Sequence, residues 1–273
     1  MPANLTPSDA DYVRDLLRRR AAIDLDASKL YLLEQRLEQL ARDGGFESVK
    51  QIVEQSKNGA PSVDKQIIEA MTTHETLFFR DVHPFEILRR NVLPALIAAR
   101  ERTRSLTVWS AACSSGQEPY SIAMSLLEHF SAAAEWPVRI VATDISDKVL
   151  ARAREGRFQQ LEVNRGLPAS MLIKYFDRVG MEWQIKERVR NLVEFRKLNL
   201  LDPWNGLRPD IVFIRNVLIY FDLNNKRAIL NRIGQAIAPD GVMFLGGAET
   251  TFNIDDRWER VSVEKSAYYR VKR

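Results

Sequence analysis

From Leu106 onward, short apolar runs alternate with helical stretches, and that pattern most constrains the fold. A chain written this way buries its strands in a parallel sheet with helices on both faces. Residues 106–111 (LTVWSA) form a strand, and a helix begins near Glu118. Residues 138–143 form the next strand, which ends at Asp144. Residues 210–214 are an apolar run of strand length, followed by a helix over about 224–237. Pro239-Asp240-Gly241 turns into a strand at 242–245, and residues 258–263 and 266–271 alternate as a closing antiparallel pair. Between Phe158 and Leu198 the alternation breaks. There, 183–186 and 192–195 read as short antiparallel strands inserted into the α/β frame.

The chain ahead of this frame reads as helix. Thr6, Pro7 and Asp9 supply a capping hydroxyl, a first-turn proline and an acid at the positive end of a helix. A second helix carries Leu30, Leu33, Leu37 and Leu40 on one stripe and stops at Gly44-Gly45. A third turns Phe46, Val49, Ile52 and Val53 inward and ends at the loop Asn58-Gly59-Ala60-Pro61, and a fourth covers 63–71. The expected organisation is a helical domain over 1–70, a linker and connecting helix over 71–101, and an α/β domain over 102–273, with its insertion at about 158–198.

Composition narrows the function classes. Hydrophobic residues make up 45% and charged residues 28%, ordinary for a folded chain of 273 residues. No apolar run reaches the roughly 18–20 residues of a membrane span. The opening Met1-Pro2-Ala3-Asn4 lacks the basic and apolar regions of a secretory signal. One cysteine, Cys113, excludes an internal disulfide framework and suits a reducing cytoplasm. With His74, His83 and His129 it offers no zinc spacing, so no metal is expected. The net charge of +4 suits an acidic partner. Arg14, Arg18, Arg19 and Arg20, with Arg36 and Arg42 beyond them, form either a docking face or a plain solvated one.

The first strand-to-helix turn, VWSAACSSGQEPYSIA (108–123), carries the chemistry. A doubly wound sheet binds a nucleotide at this turn, and Ala111, Ala112, Ser114, Ser115 and Gly116 let a ligand approach the backbone. Only one glycine is present, so the phosphate fingerprint is missing. Such a loop suits a nucleoside without phosphates, such as S-adenosylmethionine, or is an ordinary tight turn. Asp144 is placed to accept from ribose hydroxyls, to cap the helix beginning near Ser146, or to do both. The segment RNVLIYFD (215–222) lacks the Pro-Pro-aromatic sequence common in base N-methyltransferases. Asn216 is placed to contact a cofactor from the strand end. Tyr220 either points its hydroxyl at an acceptor or is half-buried core.

Taken together, TTHETLFFRD (72–81), VWSAACSSGQEPYSIA, ATDIS (142–146), LNLLDPW (198–204) and RNVLIYFD resemble the CheR family of chemotaxis receptor glutamate O-methyltransferases. The resemblance covers nearly the whole chain. It implies a Rossmann-like S-adenosylmethionine-dependent methyltransferase sheet with an N-terminal helical domain and a small inserted antiparallel β-subdomain. It implies that His74, Thr76 and Arg80 meet the cofactor from the linker. Ala112 and Glu118 would meet it from the first turn, Glu118 at the methionine amino end and Asp144 at the ribose. Asn199 and Leu200 would lie beside the adenine, and Asn216 and Val217 near the methionine portion. Arg80 and Tyr220 would orient the substrate carboxylate as the catalytic pair. His74 stands where the family often has asparagine, and Gly247-Ala248-Glu249 where it often has His-Ser-Glu; Glu249 receives no catalytic role.

The implied reaction transfers a methyl group to glutamates on the cytoplasmic signalling helices of chemoreceptors, leaving S-adenosylhomocysteine. The expected enzyme is a cytoplasmic monomer recruited to receptor arrays, without nucleic acid or membrane insertion and with adaptor proteins as candidate regulators. Some members of the family bind a receptor C-terminal pentapeptide on the inserted subdomain and have a longer, glycine-bearing loop there. The short RVGMEW stretch (178–183) predicts independence from that peptide. Competing readings are an RNA or small-molecule methyltransferase, which the basic pI of about 9.2 favours, and a non-catalytic cofactor-binding regulator.

Overall fold

The computed structural model describes residues 5–26, 29–130, 136–204 and 206–272. The opening Met1-Pro2-Ala3-Asn4, on which the signal-peptide expectation rests, lies outside the described residues. The chain separates into two compact units, one built on residues up to Thr73 with Tyr220–Asn225, the other on His74–Ile219 and the chain from Lys226 on.

The first unit packs α1 (Pro7–Ala21), α2 (Leu30–Gly44), α3 (Val49–Lys57) and α4 (Pro61–Met71) around Val13, Leu17, Leu33, Leu37, Ile52 and Ile67. Thr6 Oγ1 accepts from the Asp9 amide at 3.2 Å, and the Asp9 carboxylate accepts from the Thr6 amide at 3.3 Å. This capping box is of the kind that contributes about 1 kcal/mol. Lys57 Nζ donates to Asp9 Oδ1 at 2.6 Å and ties α3 to α1. In α2 the buried stripe runs through Leu33, Leu37 and Ala41, whereas Leu30 is exposed and Leu40 half-buried. Phe46 lies in the link ahead of α3 rather than inside it.

The expected basic face is partly consumed within the unit. Arg36 donates to the carbonyls of Ala70 and Thr72 at 3.2 and 2.9 Å, capping the end of α4. Arg14 pairs with Asp11 at 3.2 Å, and Arg18 pairs with Asp24 at 3.2 Å. Arg18, Arg19 and Arg20 remain exposed.

The second unit opens with α5 (His83–Ile87), a π turn (Leu88–Val92) and α6 (Leu93–Ala99). Pro94, which has no amide hydrogen for the ladder, explains why the π turn sits immediately ahead of α6. There follow β1 (Leu106–Ala111), α7 (Gln117–His129), β2 (Val138–Asp144), α8 (Asp147–Glu155), β3 (Arg157–Gln159), α9 (Gln160–Val163) and α10 (Ala169–Tyr175). Next come β4 (Phe176–Val179), β5 (Glu182–Ile185), α11 (Glu187–Arg190), β6 (Val193–Lys197) and β7 (Ile211–Ile214). After a 3-10 turn (Leu218–Tyr220), the chain ends in α12 (Leu223–Ala236), β8 (Val242–Leu245), β9 (Trp258–Val263) and β10 (Ser266–Val271).

Among the described residues the main sheet has seven strands in the order β6-β2-β1-β7-β8-β10-β9. β6, β2, β1, β7 and β8 pair in parallel, while β10 runs antiparallel to both its neighbours. The rings of Phe213 and Phe244 stack 4.6 Å apart on adjacent strands in the core. Arg100 joins Asp210 at 2.8 Å and Asp240 at 2.5 Å, securing the start of β7 to the turn before β8.

The insertion is an antiparallel sheet in the order β3-β5-β4. The expected strand at 192–195 is not part of it. That segment is β6, which pairs in parallel with β2 through Ile140↔Val193 to Asp144↔Lys197. An edge strand of a parallel sheet alternates in exposure like an antiparallel one, so its pattern does not distinguish the two. Among the described residues no helix is long and apolar enough to cross a membrane.

Candidate active site

Strand order reverses at β1: β2 and β6 lie to one side, β7 and β8 to the other. In such a sheet a ligand binds in the crevice beyond the carboxyl ends of the central strands. Both strand ends here have unusual backbone. Ala112, Ser114 and Asn216 adopt left-handed φ values of 55°, 51° and 57°. These cost energy in non-glycine residues and persist only where neighbours hold them. Gly116, at φ 95°, is the residue just ahead of α7, and a Cβ there would lie 3.1 Å from Ala153 Cβ and 3.2 Å from the Tyr120 ring.

Asp144 holds the first of these ends. Its Oδ2 accepts from the Ser114 amide at 2.9 Å and its Oδ1 from the Ser146 amide at 3.0 Å. Cap duty on α8 falls to Ser146, whose Oγ accepts from the Val149 amide at 3.2 Å. Burial pushes the Asp144 carboxyl above the usual carboxylate range, an effect the backbone donors of Ser146 and Ser114 oppose. The Ser114 hydroxyl donates to the His74 carbonyl at 3.0 Å, so the linker segment is fixed to this turn.

Glu118 lies in the first turn of α7 with its side chain 12% exposed. Ser110 Oγ donates to its Oε1 at 2.8 Å and Arg215 Nη1 to its Oε2 at 3.0 Å. Burial raises this carboxyl as well, with the Arg215 charge and the Ser110 hydroxyl pulling the other way. Arg215 also donates through Nη2 to the Arg80 carbonyl at 2.8 Å and to Asp81 Oδ2 at 2.7 Å. Its side chain is 1% exposed, and its Nε has no hydrogen-bond partner among the described residues. The linker is anchored again where the Phe79 amide donates to Ser121 Oγ at 2.9 Å. Thr76 and Arg80 are half-buried, and Arg80 Nη1 donates to the Glu75 carbonyl at 3.1 Å.

The 198–204 segment follows β6. The Leu198 amide donates to the Asp144 carbonyl at 3.0 Å, and Asn199 Oδ1 accepts from the Leu201 amide at 3.0 Å. Arg232 Nη1 donates to the carbonyls of Leu200, Leu201 and Asp202 at 3.0, 3.1 and 2.8 Å. Its guanidinium lies over the Trp204 ring at 5.1 Å, and Trp204 meets Trp109 edge-on at 4.7 Å.

His74, Thr76, Arg80, Ala112, Glu118, Asp144, Asn199, Leu200, Asn216 and Val217 thus all belong to the α/β unit. Tyr220 belongs to the helical unit, where it is half-buried and its carbonyl accepts from the Asp24 amide at 3.0 Å. Sequence reasoning gave Arg215 and Arg232 no role and withheld a catalytic one from Glu249. For Arg215 a signal existed: a single cation directly after the apolar run Ile211–Ile214 is either paired or very costly to bury.

S-adenosylmethionine brings a cationic amino group and a vicinal diol, and these residues fit it. A carboxylate has about four acceptor positions. The hydrogen bonds just described occupy one position on each oxygen of Glu118, and Asp144 takes a third backbone donor from Ile145 beside those of Ser114 and Ser146, so both acids keep room, Asp144 the less. Glu118 and Asp144 would therefore hold the amino group and the ribose.

The sheet and its crevice are those of an S-adenosylmethionine-dependent methyltransferase. Residues 74–267 match the family described as CheR methyltransferase, SAM binding domain, and residues 8–72 match CheR methyltransferase, all-alpha domain. The chain belongs to the CheR methyltransferase family. It is 41% identical over 270 residues to chemotaxis protein methyltransferase 1 of Pseudomonas aeruginosa, covering 97% of this chain and 98% of that one. It is 39% identical to chemotaxis protein methyltransferase Cher2 of Pseudomonas putida, with the same coverage of each. With the chemotaxis protein methyltransferase of Vibrio parahaemolyticus it shares 36% identity over 98% of this chain and 99% of the other.

Proposed function

We propose that this protein esterifies glutamate side chains on the cytoplasmic signalling helices of chemoreceptors. S-adenosylmethionine, when bound, supplies a methyl group on a sulfonium; a glutamate oxygen forms the new bond to carbon as the carbon–sulfur bond breaks, leaving S-adenosylhomocysteine. A glutamate is already ionised near neutral pH, with an ordinary pKa of about 4.3, so no general base is needed. The protein's part is to hold two partners in line and keep water out.

The observation that carries this reading is the bridge made by Arg215, which binds the Glu118 carboxylate and the Arg80 backbone with one guanidinium. The residue assigned to the methionine amino end and the residue assigned to the acceptor carboxylate are thereby tied to a common support. Arg80 orients the acceptor, and Tyr220 is assigned the same task on the sequence resemblance alone. The exposed Arg18, Arg19 and Arg20 give the helical unit a surface for acidic receptor helices. At receptor arrays, adaptor proteins are candidate regulators.

The reading also includes independence from a receptor pentapeptide. β4 and β5 are joined by Gly180 and Met181 alone, with Val179 paired to Glu182. Calorimetry against such a peptide is expected to show no binding, and measurable affinity refutes this part. The main test uses purified protein, methyl-labelled S-adenosylmethionine and receptor-containing membranes, followed by mild alkali. Label on a receptor-sized band, released as methanol, is the expected result. Label that resists alkali or requires RNA overturns the acceptor assignment.

A further inference from the structure

Glu249, which follows β8, spends its whole carboxylate on backbone. Oε2 accepts from the amides of Asn216 and Gly246, each at 2.7 Å. Oε1 accepts from the amides of Val217 at 2.9 Å and Leu218 at 2.7 Å. Four donors are about the full complement of a carboxylate. Three of them are consecutive residues of the turn that leaves β7, and the first, Asn216, is held at φ 57°. Gly246 makes the approach possible: a Cβ there would lie 2.7 Å from Asn216 Nδ2 and 2.8 Å from the Asn216 amide nitrogen. One anion therefore clips the carboxyl ends of β7 and β8 together.

The consequence follows from peptide geometry. In a planar trans peptide the carbonyl points opposite to the amide hydrogen. The amides of 216, 217 and 218 converge on Glu249, so the carbonyls of Arg215, Asn216 and Val217 are turned away from it. A row of carbonyl acceptors takes a cationic amino group, which is the chemistry at the methionine end of the cofactor. We infer that Glu249 is a positioning residue for cofactor binding, fixing the 216–218 turn so that its carbonyls face the ligand. This rests on the reading that Asn216 and Val217 meet the methionine portion.

Glu249→Gln tests it, because the change is nearly isosteric but replaces one acceptor oxygen with a donor that opposes two of the four amides. Two measurements are needed: calorimetric affinity for S-adenosylhomocysteine, and hydrogen exchange at the amides of Asn216, Val217 and Leu218. The expected result is faster exchange together with affinity weakened by about tenfold or more, as for loss of hydrogen bonds to a charged group. Faster exchange with unchanged affinity overturns both the inference and the cofactor role of the turn. Unchanged exchange and unchanged affinity overturn the inference alone. Should the glutamine variant not fold, Glu249→Asp keeps both oxygens one methylene short. It is then expected to bind more weakly than wild type, and wild-type affinity there is equally fatal.

Discussion

The Arg215 guanidinium reaches Glu118 Oε2 at 3.0 Å while its own side chain is 1% exposed. Neither charge is well solvated, so each depends on the other. Removing one partner of such a pair costs about 3–5 kcal/mol, mostly because the remaining charge is stranded. Arg215→Ala is expected to lower stability by that order in chemical denaturation and to weaken S-adenosylhomocysteine binding. Arg215→Lys, which retains charge but not the fork that also reaches Asp81 and the Arg80 carbonyl, is expected to restore only part of it. Wild-type stability in the alanine variant would mean that Glu118 and Arg215 are independently accommodated.

The raised carboxyl of Glu118 predicts a pH dependence of binding. Burial shifts it above its ordinary 4.5, so the ligand-free protein holds this proton more tightly than the unfolded chain does. For this group, ligand-free stability is highest below the unfolded value and declines as pH rises through the shifted one. With Glu118 proposed to hold the cationic amino group, which needs the ionised acid, cofactor affinity is expected to run the opposite way. Affinity is expected to be full near neutral pH and to fall on acidification before an ordinary carboxylate would titrate. Calorimetry from about pH 5 to 8 reads this directly. Glu118→Gln is expected to bind weakly with a flattened profile; an unflattened profile assigns the titration elsewhere.

Arg232 offers a cleaner separation of binding from chemistry. Its donations to the carbonyls of Leu200, Leu201 and Asp202 hold the segment assigned to the adenine, far from any methyl transfer in role. Arg232→Ala is expected to cost about 1–2 kcal/mol of cofactor affinity. With cofactor saturating, kcat should stay near wild type. A fall in kcat with unchanged affinity would contradict this assignment.

Arg18 and Arg19 are exposed on the helical unit, and Arg18 is already shared with Asp24 at 3.2 Å. If they guide acidic receptor helices, reversing both to glutamate raises the KM for receptor by about tenfold at low salt and leaves cofactor affinity unchanged. Titrating salt in the wild type should produce the same trend. A KM indifferent to both makes this an ordinary solvated surface.

Local signals in the sequence served well where structure is local. The Thr6–Asp9 box, the Gly45 stop and the β9–β10 hairpin were legible because the deciding residues are neighbours in the chain. The parallel placement of β6 was not legible, because its partner β2 lies some fifty residues away; the Arg139–Glu194 contact spans 55. The same holds for the supports of the crevice. Arg215 meets Glu118 across 97 positions, and Glu249 meets Asn216 across 33. Motif reading found the residues expected to face the ligand. The residues that hold them in place have partners that only the fold reveals.

Arg80 is the residue proposed to orient the acceptor carboxylate. Its Nη1 donates to the Glu75 carbonyl at 3.1 Å, a neutral partner, and no ion pair ties the side chain down among the described residues. A guanidinium held in that way can bind an incoming carboxylate without displacing a competing acid. Too strong an ion pair would also blunt the carboxylate as a nucleophile, so orientation rather than charge is the expected contribution. Arg80→Ala is therefore expected to lower kcat/KM for receptor by about a hundredfold, as for a misplaced reacting group. S-adenosylhomocysteine affinity should change no more than a few-fold, since the Arg80 carbonyl that Arg215 holds is retained. Arg80→Lys, which has the charge but not the planar fork, should recover a minor part. Unchanged turnover in the alanine variant would remove Arg80 from the acceptor site. An equal loss of cofactor affinity would move it to the cofactor side alone.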